Sequence, residues 1–290
     1  MSDTAAATVA TLVGEDVVAA LTTLGADPVD AVRITGLPAE RTDRATFRIR
    51  LADGRIVKAR RFRRAAKAER FARIVRALSH DRLQPPLLVA GRVSIEAWVD
   101  GTPLSALPCS DDHLEQAADL LGSIHAARAT LGGGTHSRRT SALVASTRRR
   151  IADLEARGAL TRPQMSALLH AMQQFAPSTA EVGLTHNDLC AENLVQDARG
   201  RLLLVDNEGL RHGFLDYDLA RTWYRWPMRE PDWQAFTGRY QSWRAHPLDA
   251  ERRPFWRIAA VVKSAHLRAA RGTADATVPI DRLRVLLAGL

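Results

Sequence analysis

The stretch His186-Asn187-Asp188-Leu189-Cys190-Ala191-Glu192-Asn193 decides how this chain is read. Thirteen residues after Asn193, an apolar run ending at Val205 delivers Asp206-Asn207-Glu208. A His-x-Asp-x4-Asn pattern followed by a strand-borne Asp supplies the parts that phosphoryl transfer needs. Asp188 is the candidate base that accepts the hydroxyl proton of an acceptor. The side-chain oxygen of Asn193 can reach a metal from the far side of the loop, and Asp206 can bind the Mg2+ that bridges the phosphates. Oxygen ligands suit that hard cation. The bland alternative is a turn with an Asx cap and a solvated Asp; the third residue at the right distance argues against it.

Outward from this stretch the chain divides in two. Apolar residues at helical spacing predict a leading helix over 8–24. Phe47, Ile49 and Leu51 alternate with polar residues, Asp53-Gly54 follows, and Ile56-Val57-Lys58 resumes an extended pattern, a β-hairpin signal. A helix is expected over 64–79, with Phe71, Ile74, Val75 and Leu78 on its apolar face. Two more short extended runs lie between Leu87 and Val99, before the turn cluster Asp100-Gly101-Thr102-Pro103. From there the pattern is helical, over 112–131 with Asp111 or Asp112 near the N-cap, over 138–174 as one or two helices, and over 218–290. A second hairpin, with Leu194-Val195 and Leu202 to Val205 flanking Asp197-Ala198-Arg199-Gly200, interrupts it. The expected domains are residues 1–99, small and sheet-containing, and residues 100–290, larger and mostly helical.

The bulk numbers bound the rest. The 290 residues carry a net charge of +9 and are 46% hydrophobic, as in an ordinary soluble globular protein. The charge is local: Arg41 to Arg76 holds twelve Arg, two Lys and three acids, a net +11, and the remainder of the chain is −2. Most of those arginines read as solvated helix and strand faces. Only Lys58, Lys67 and Lys263 are lysines among 41 basic residues. Two cysteines are too few for a disulfide framework, and no signal peptide or membrane span is legible, so a cytoplasmic protein without membrane partners is expected.

His186 to Asn193 with Asp206 resembles the catalytic loop and metal-binding Asp of the aminoglycoside phosphotransferase and choline kinase-like family. The resemblance extends from about residue 30 to 270. Asp206-Asn207-Glu208 is similar to the family's Asp-x-Glu. Asp216-Tyr217-Asp218-Leu219-Ala220 resembles the Asp-x-Asp-Leu-Ala run that follows, and Leu121 to His125 resembles the end of the helix after the lobe linker. The resemblance implies an α+β, bilobal, protein-kinase-like fold, with an antiparallel sheet in a small N-lobe and a larger, mostly helical C-lobe. It implies an ATP- or GTP-dependent kinase that uses Mg2+ to phosphorylate a small-molecule hydroxyl. It also implies that Lys58 holds the nucleotide phosphates and pairs with Glu69 on the next helix. A compact ammonium suits that role better than a guanidinium fork, and a chain so poor in lysine keeps one here. Glu96-Ala97-Trp98-Val99 resembles the lobe linker, whose backbone would read the adenine edge. His186 and Asp218 are expected to support the loop, and Glu208, Asp216 and Trp223 to support it or to meet substrate.

This chain departs from the family in places. The segment Ala39 to Thr46 offers no glycine to cradle phosphates, which leaves side chains such as Arg44 or Thr46. Cys190, read as a space-filler, stands where protein kinases usually carry Lys. The short spacing from Asp206 to Asp216 leaves no room for a long activation loop, and this favours a small-molecule kinase. An aromatic wall from Trp223 to Trp256 could stack an acceptor or form core. Acidic residues there alternate with arginines and form no acidic cup, so antibiotics such as an aminoglycoside, amino alcohols and sugars all stay open as acceptors. The chain is expected to act as a monomer or homodimer. Competing classes are a catalytically silent kinase-like nucleotide-binding protein and a nucleic-acid-binding protein using the Arg41–Arg76 stretch; nucleic acid is not the expected partner.

Overall fold

Asp53-Gly54 folds the chain back on itself. Gly54 takes a positive φ of 87°, and the Asp53 carboxylate accepts the Arg55 N–H at 2.9 Å. Strand β2 (Ala45–Leu51) thereby pairs antiparallel with β3 (Ile56–Arg61). In this computed structural model, which describes residues 3–34, 45–127, 136–270 and 277–289, the hairpin is the middle of a five-stranded sheet. Its order is β1-β2-β3-β5-β4, with β1 (Pro28–Arg33), β4 (Leu88–Ala90) and β5 (Val93–Ala97). Period-2 alternation gives this sheet two different faces. Phe47, Ile49, Val57, Ala59 and Ile95 bury one face against Val13, Val17 and Leu21. The opposite set, Thr46, Lys58, Arg60, Ser94 and Glu96, is polar yet also buried. The segment from Ala39 to Arg44, expected near the phosphates, lies outside the described residues; Thr46 is buried on β2.

The expected single N-terminal helix is two: α1 (Asp3–Val13) and α2 (Glu15–Thr23), broken at Gly14. Gly14 has φ 87°, and a Cβ there would stand 2.5 Å from the Arg61 guanidinium. That guanidinium fills the break, donating to the Val13 carbonyl and the Asp16 carboxylate. Helix α3 (Ala65–Leu78) forms as expected and buries Ala68, Phe71, Ala72 and Val75.

The chain folds as two units, Met1–Ala106 with Val195–Glu208, and Leu107–Leu194 with Gly209–Leu290. The sequence reading puts the joint near Asp100-Gly101; the chain instead stays with the first unit to Ala106. There β6 (Thr102–Pro103) joins the second hairpin, β9 (Leu194–Gln196) and β10 (Leu202–Leu204), in a small sheet of order β10-β9-β6. A Cβ at Gly101 would fall 2.2 Å from the Gln196 carbonyl oxygen, so this pairing needs glycine.

The second unit starts with α4 (Asp111–Ala126). Its N-cap is Ser110, not Asp111 or Asp112: the hydroxyl accepts the His113 N–H and the His113 ring accepts the Ser110 N–H. A three-stranded sheet, order β11-β8-β7, was not legible in the sequence; it consists of β7 (His136–Arg139), β8 (Thr179–Thr185) and β11 (Arg211–Phe214). Helices α5 (Ser141–Ala156) and α6 (Arg162–Phe175) lie between its strands, and α7 (Leu215–Arg225), α8 (Glu230–Gln241), α9 (Arg253–Ala269) and α10 (Thr277–Ala288) follow. Ile258, Ala259, Val261, Val262 and Ala265 make α9 the buried centre, packed on α5, α6, α7 and α10. Among the described residues, no helix is long and apolar enough to cross a membrane.

Candidate active site

Two residues apart on β3, Lys58 and Arg60 point to the polar face of the five-stranded sheet. Strand register sets Lys58 directly opposite Glu96 on β5. The Lys58 ammonium lies 3.8 Å from the Glu96 carboxylate and 2.6 Å from that of Asp206. Arg60 donates to Asp206 at 2.6 Å through one nitrogen and pairs with Glu208 through the other. Ser94 holds Glu96 with a hydroxyl hydrogen bond of 2.9 Å. Burial pulls the Arg60 pKa down, but Glu208, Asp206 and Glu96 outweigh it and drive the pKa above the ordinary value. Asp206 itself has φ 60°, a left-handed conformation that a non-glycine residue adopts at some cost.

The first unit therefore gathers the carboxylates of Glu96, Asp206 and Glu208 around the cations of Lys58 and Arg60. All the anionic ligand atoms are hard oxygens, and Asp206 is the most open of them. This donor chemistry fits Mg2+, which is held by one or two carboxylates together with substrate phosphates and not by an all-protein cage. No ready-made cage of three His, Cys, Asp or Glu side chains occurs among the described residues.

In the second unit β8 runs straight into His186, and the following loop hangs on Asp218. This carboxylate is fully buried at the start of α7. It accepts the backbone N–H of His186 and of Asn187, each at 2.7 Å, and His125 Nε2 lies 3.0 Å away. Burial alone would raise its pKa; the hydrogen bond and charge of His125, with help from His186, hold it below the ordinary carboxylate value. A His125 ring that donates from Nε2 to Asp218 receives the Tyr240 hydroxyl at Nδ1, 2.6 Å away, and Arg244 donates to that hydroxyl at 3.2 Å. Arg244 is anchored in turn by Glu181 at 2.6 Å and Asp216 at 3.0 Å. His186 contributes its backbone N–H to the brace, while its ring is buried and makes no hydrogen bond among the described residues.

The braced loop turns at Asn187, φ 69°, and presents Asp188. Asn193 donates from Nδ2 to the Asp188 carbonyl oxygen at 2.8 Å, which closes the loop and leaves Oδ1 out of that bond. Two arginines not singled out from the sequence flank Asp188. On α7, one turn apart, Arg221 Nη2 and Arg225 Nε lie 3.2 and 3.1 Å from Asp188 Oδ1. Their i, i+4 spacing is the signal that could have found them. Cys190 is buried, and burial with the nearby Asp188 charge pushes its thiol up to about 12, which disfavours the thiolate.

Three expected roles need correction. Glu69 is exposed on α3 and forms no pair with Lys58; Glu96, opposite in register, takes that place. The apolar face of α3 through Ala68, Phe71 and Ala72 turns Glu69 to solvent. The carboxylate of Glu96 is thus occupied on an interior strand, and the Trp98 N–H donates to Ile56 at 3.1 Å, with Arg48 over the indole. The aromatic wall is mostly core. Trp226, Trp233 and Trp256 are buried, and the indole of Trp223 is covered by the guanidinium groups of Arg257 and Arg282, 4.1 and 4.5 Å from its centroid. Asp216 is spent on Arg244. Gly122, in the stretch resembling the end of the linker helix, has its Cβ position filled by Trp243.

A model of the phosphotransferase enzyme family matches residues 33–271. The chain belongs to that family. It is a phosphotransferase. Solved structures share its protein-kinase-like fold at low sequence identity. A macrolide 2'-phosphotransferase of type I superposes with a TM-score of 0.71 and 15% identity, covering 98% of this chain and 99% of its own. A choline kinase from Streptococcus pneumoniae gives 0.68 and 15%, with coverages of 93% and 96%. An aminoglycoside-3'-phosphotransferase of type VIII gives 0.57 and 20%, with coverages of 84% and 98%. No curated protein matches the sequence.

Proposed function

We infer that this cytoplasmic phosphotransferase takes the γ-phosphoryl group of ATP or GTP and places it on a hydroxyl of a small molecule, with Asp188 as base. The observation that carries this reading is the way the loop is built: a buried carboxylate, Asp218, fixes two consecutive N–H groups so that Asp188 projects while Asn193 ties the loop beneath it. Such preorganisation is what general base catalysis requires.

Lys58 holds the α- and β-phosphates, oriented by Glu96. Arg60 keeps Asp206 and Glu208 in place. Asn193 Oδ1 and the Asp206 carboxylate would hold Mg2+, which neutralises charge developing on the phosphates. Asp188 accepts the proton of the acceptor hydroxyl as its oxygen attacks phosphorus, and Arg221 and Arg225 hold that carboxylate in one orientation. Relatives in fold include a macrolide phosphotransferase, aminoglycoside phosphotransferases and a choline kinase, one structure of which contains AMP; antibiotics and amino alcohols are therefore among the acceptors to try.

The test is Asp188→Ala. Turnover falls by about 10²–10⁴-fold, the usual worth of a positioned base, while nucleotide affinity stays near wild type. Turnover close to wild type would show that another group is the base.

A further inference from the structure

Asp188 sits among more cations than it can balance. Arg221 and Arg225 already share its carboxylate. Arg211 Nη2 donates to the Asn187 side-chain oxygen at 3.0 Å, and Arg221 Nε to the Asn187 carbonyl at 3.2 Å, so both stand over the residue that precedes the base. From α9, Lys263 enters the same neighbourhood. Among the described residues its ammonium has no carboxylate in ion-pair contact, and its one close partner is the face of the Tyr217 ring, 5.6 Å away. Arg150 on α5 makes a hydrogen bond of 3.2 Å to Ser146. The charges of Arg150 on α5, Arg211 on β11 and Arg221 on α7 act on both the Lys263 ammonium and the Tyr217 phenol. Asp188 is the carboxylate that opposes them at Lys263. Burial first, and then these arginines, push Lys263 down to about 8. A half-buried lysine with no carboxylate in ion-pair contact is costly, and an anion bound beside it would reduce that cost. In a chain with three lysines, one of them stands here.

We propose that Lys263, with Arg150, Arg211 and Arg221, binds an anionic group, a carboxylate or a phosphate, of the acceptor, so that the phosphorylated hydroxyl belongs to an anionic small molecule. This rests on the reading of Asp188 as the base. A polycationic or quaternary-ammonium acceptor would meet like charge at this position, whereas a carboxylate or phosphate would be held by charge-assisted hydrogen bonds.

The full chain is saturated with Mg2+ and a non-hydrolysable ATP analogue and then titrated calorimetrically with glycerol, 3-amino-1,2-propanediol, glycerate and glycerol 3-phosphate. These probes share a short hydroxylated skeleton and differ in charge. The two anions, or one of them, bind about tenfold or more tighter than glycerol, and the amine no tighter than glycerol. Whichever anion binds better identifies the carboxylate or the phosphate as the preferred group. Lys263→Met, close in volume, removes the advantage and Lys263→Arg keeps it; binding of the analogue reports that each variant is folded. The proposal falls if the amine equals the anions, if no anion exceeds glycerol, or if the advantage survives in Lys263→Met. It falls equally if Lys263→Met weakens the analogue and not the probes, since the anion would then be the nucleotide's. Failure of the analogue to bind wild type, or full turnover by Asp188→Ala, would instead strike the kinase reading itself.

Discussion

Asp206 in the first unit and Asp188 in the second each sit beside two cations, yet their surroundings differ. Around Asp206, Lys58 and Arg60 are shared with the carboxylates of Glu96 and Glu208. Around Asp188, Arg221 and Arg225 already outnumber the carboxylate, and the Lys263 ammonium lies over the Tyr217 ring. One aspartate is set among further carboxylates and the other among further cations. The proposed function gives the two aspartates different tasks: holding a metal with its polyphosphate, and receiving a proton from an acceptor.

The largest effect that would sharpen this comparison is expected from Asp206→Asn. It removes the most open carboxylate of the Lys58–Arg60 cluster, and kcat falls by about 10²–10³-fold, the cost typical of removing one preorganised electrostatic contact. Initial rates at rising Mg2+ check it. A loss no greater than a few-fold at every Mg2+ concentration would break the assignment.

Next comes the brace. Asp218→Asn leaves two backbone N–H groups and His125 facing a neutral amide, and removing one partner of a buried pair costs about 3–5 kcal/mol. Denaturant unfolding measures it. The pH dependence has a definite sign. The folded Asp218 carboxyl has a pKa below its ordinary 3.8, so its contribution is present above that value and is lost as pH falls through the lower folded pKa. The stability gap between wild type and Asp218→Asn therefore narrows as the solution is acidified below about 4 and is flat near neutrality. A gap that widened on acidification would contradict the hydrogen-bond account.

The smallest effect concerns the scaffold of the first unit. Gly14→Ala forces a side chain into φ 87° and against the Arg61 guanidinium. It should cost about 1–3 kcal/mol, read as a lower melting temperature, and leave the pH profile of turnover unchanged.

Much of this was legible from local pattern. His186 to Asn193 is a short continuous stretch whose chemistry needs no tertiary context, and both hairpins were marked by residues that tolerate tight turns, Gly54 and Gly200. The misses have a common cause, in that their partners are far apart in sequence. Glu69 is the partner that the family resemblance implies, on the helix after Lys58, whereas strand register, invisible before the pairing of β3 and β5 is known, sets Glu96 opposite. Arg60 and Arg61 lay in an arginine-rich stretch that reads as solvated. Period-2 alternation sends one to Asp206 and Glu208 and the other into the break at Gly14, and both are buried. The sheet of β7, β8 and β11 was hidden because its strands are short and lie between helices. Trp223 shows which of two readings of the aromatic wall the structure takes: it is buried, and arginines of α9 and α10 cover its indole.

The central claim is that a small-molecule hydroxyl receives a phosphoryl group with Asp188 as base. The direct measurement is mass spectrometry of acceptors from a panel of antibiotics, amino alcohols, sugars and hydroxy acids, each incubated with Mg2+ and ATP or GTP. The account predicts an acceptor that gains a single phosphoryl group with wild type and none with Asp188→Ala. Nucleotide consumed without any phosphorylated acceptor, or equal product from Asp188→Ala, would contradict it.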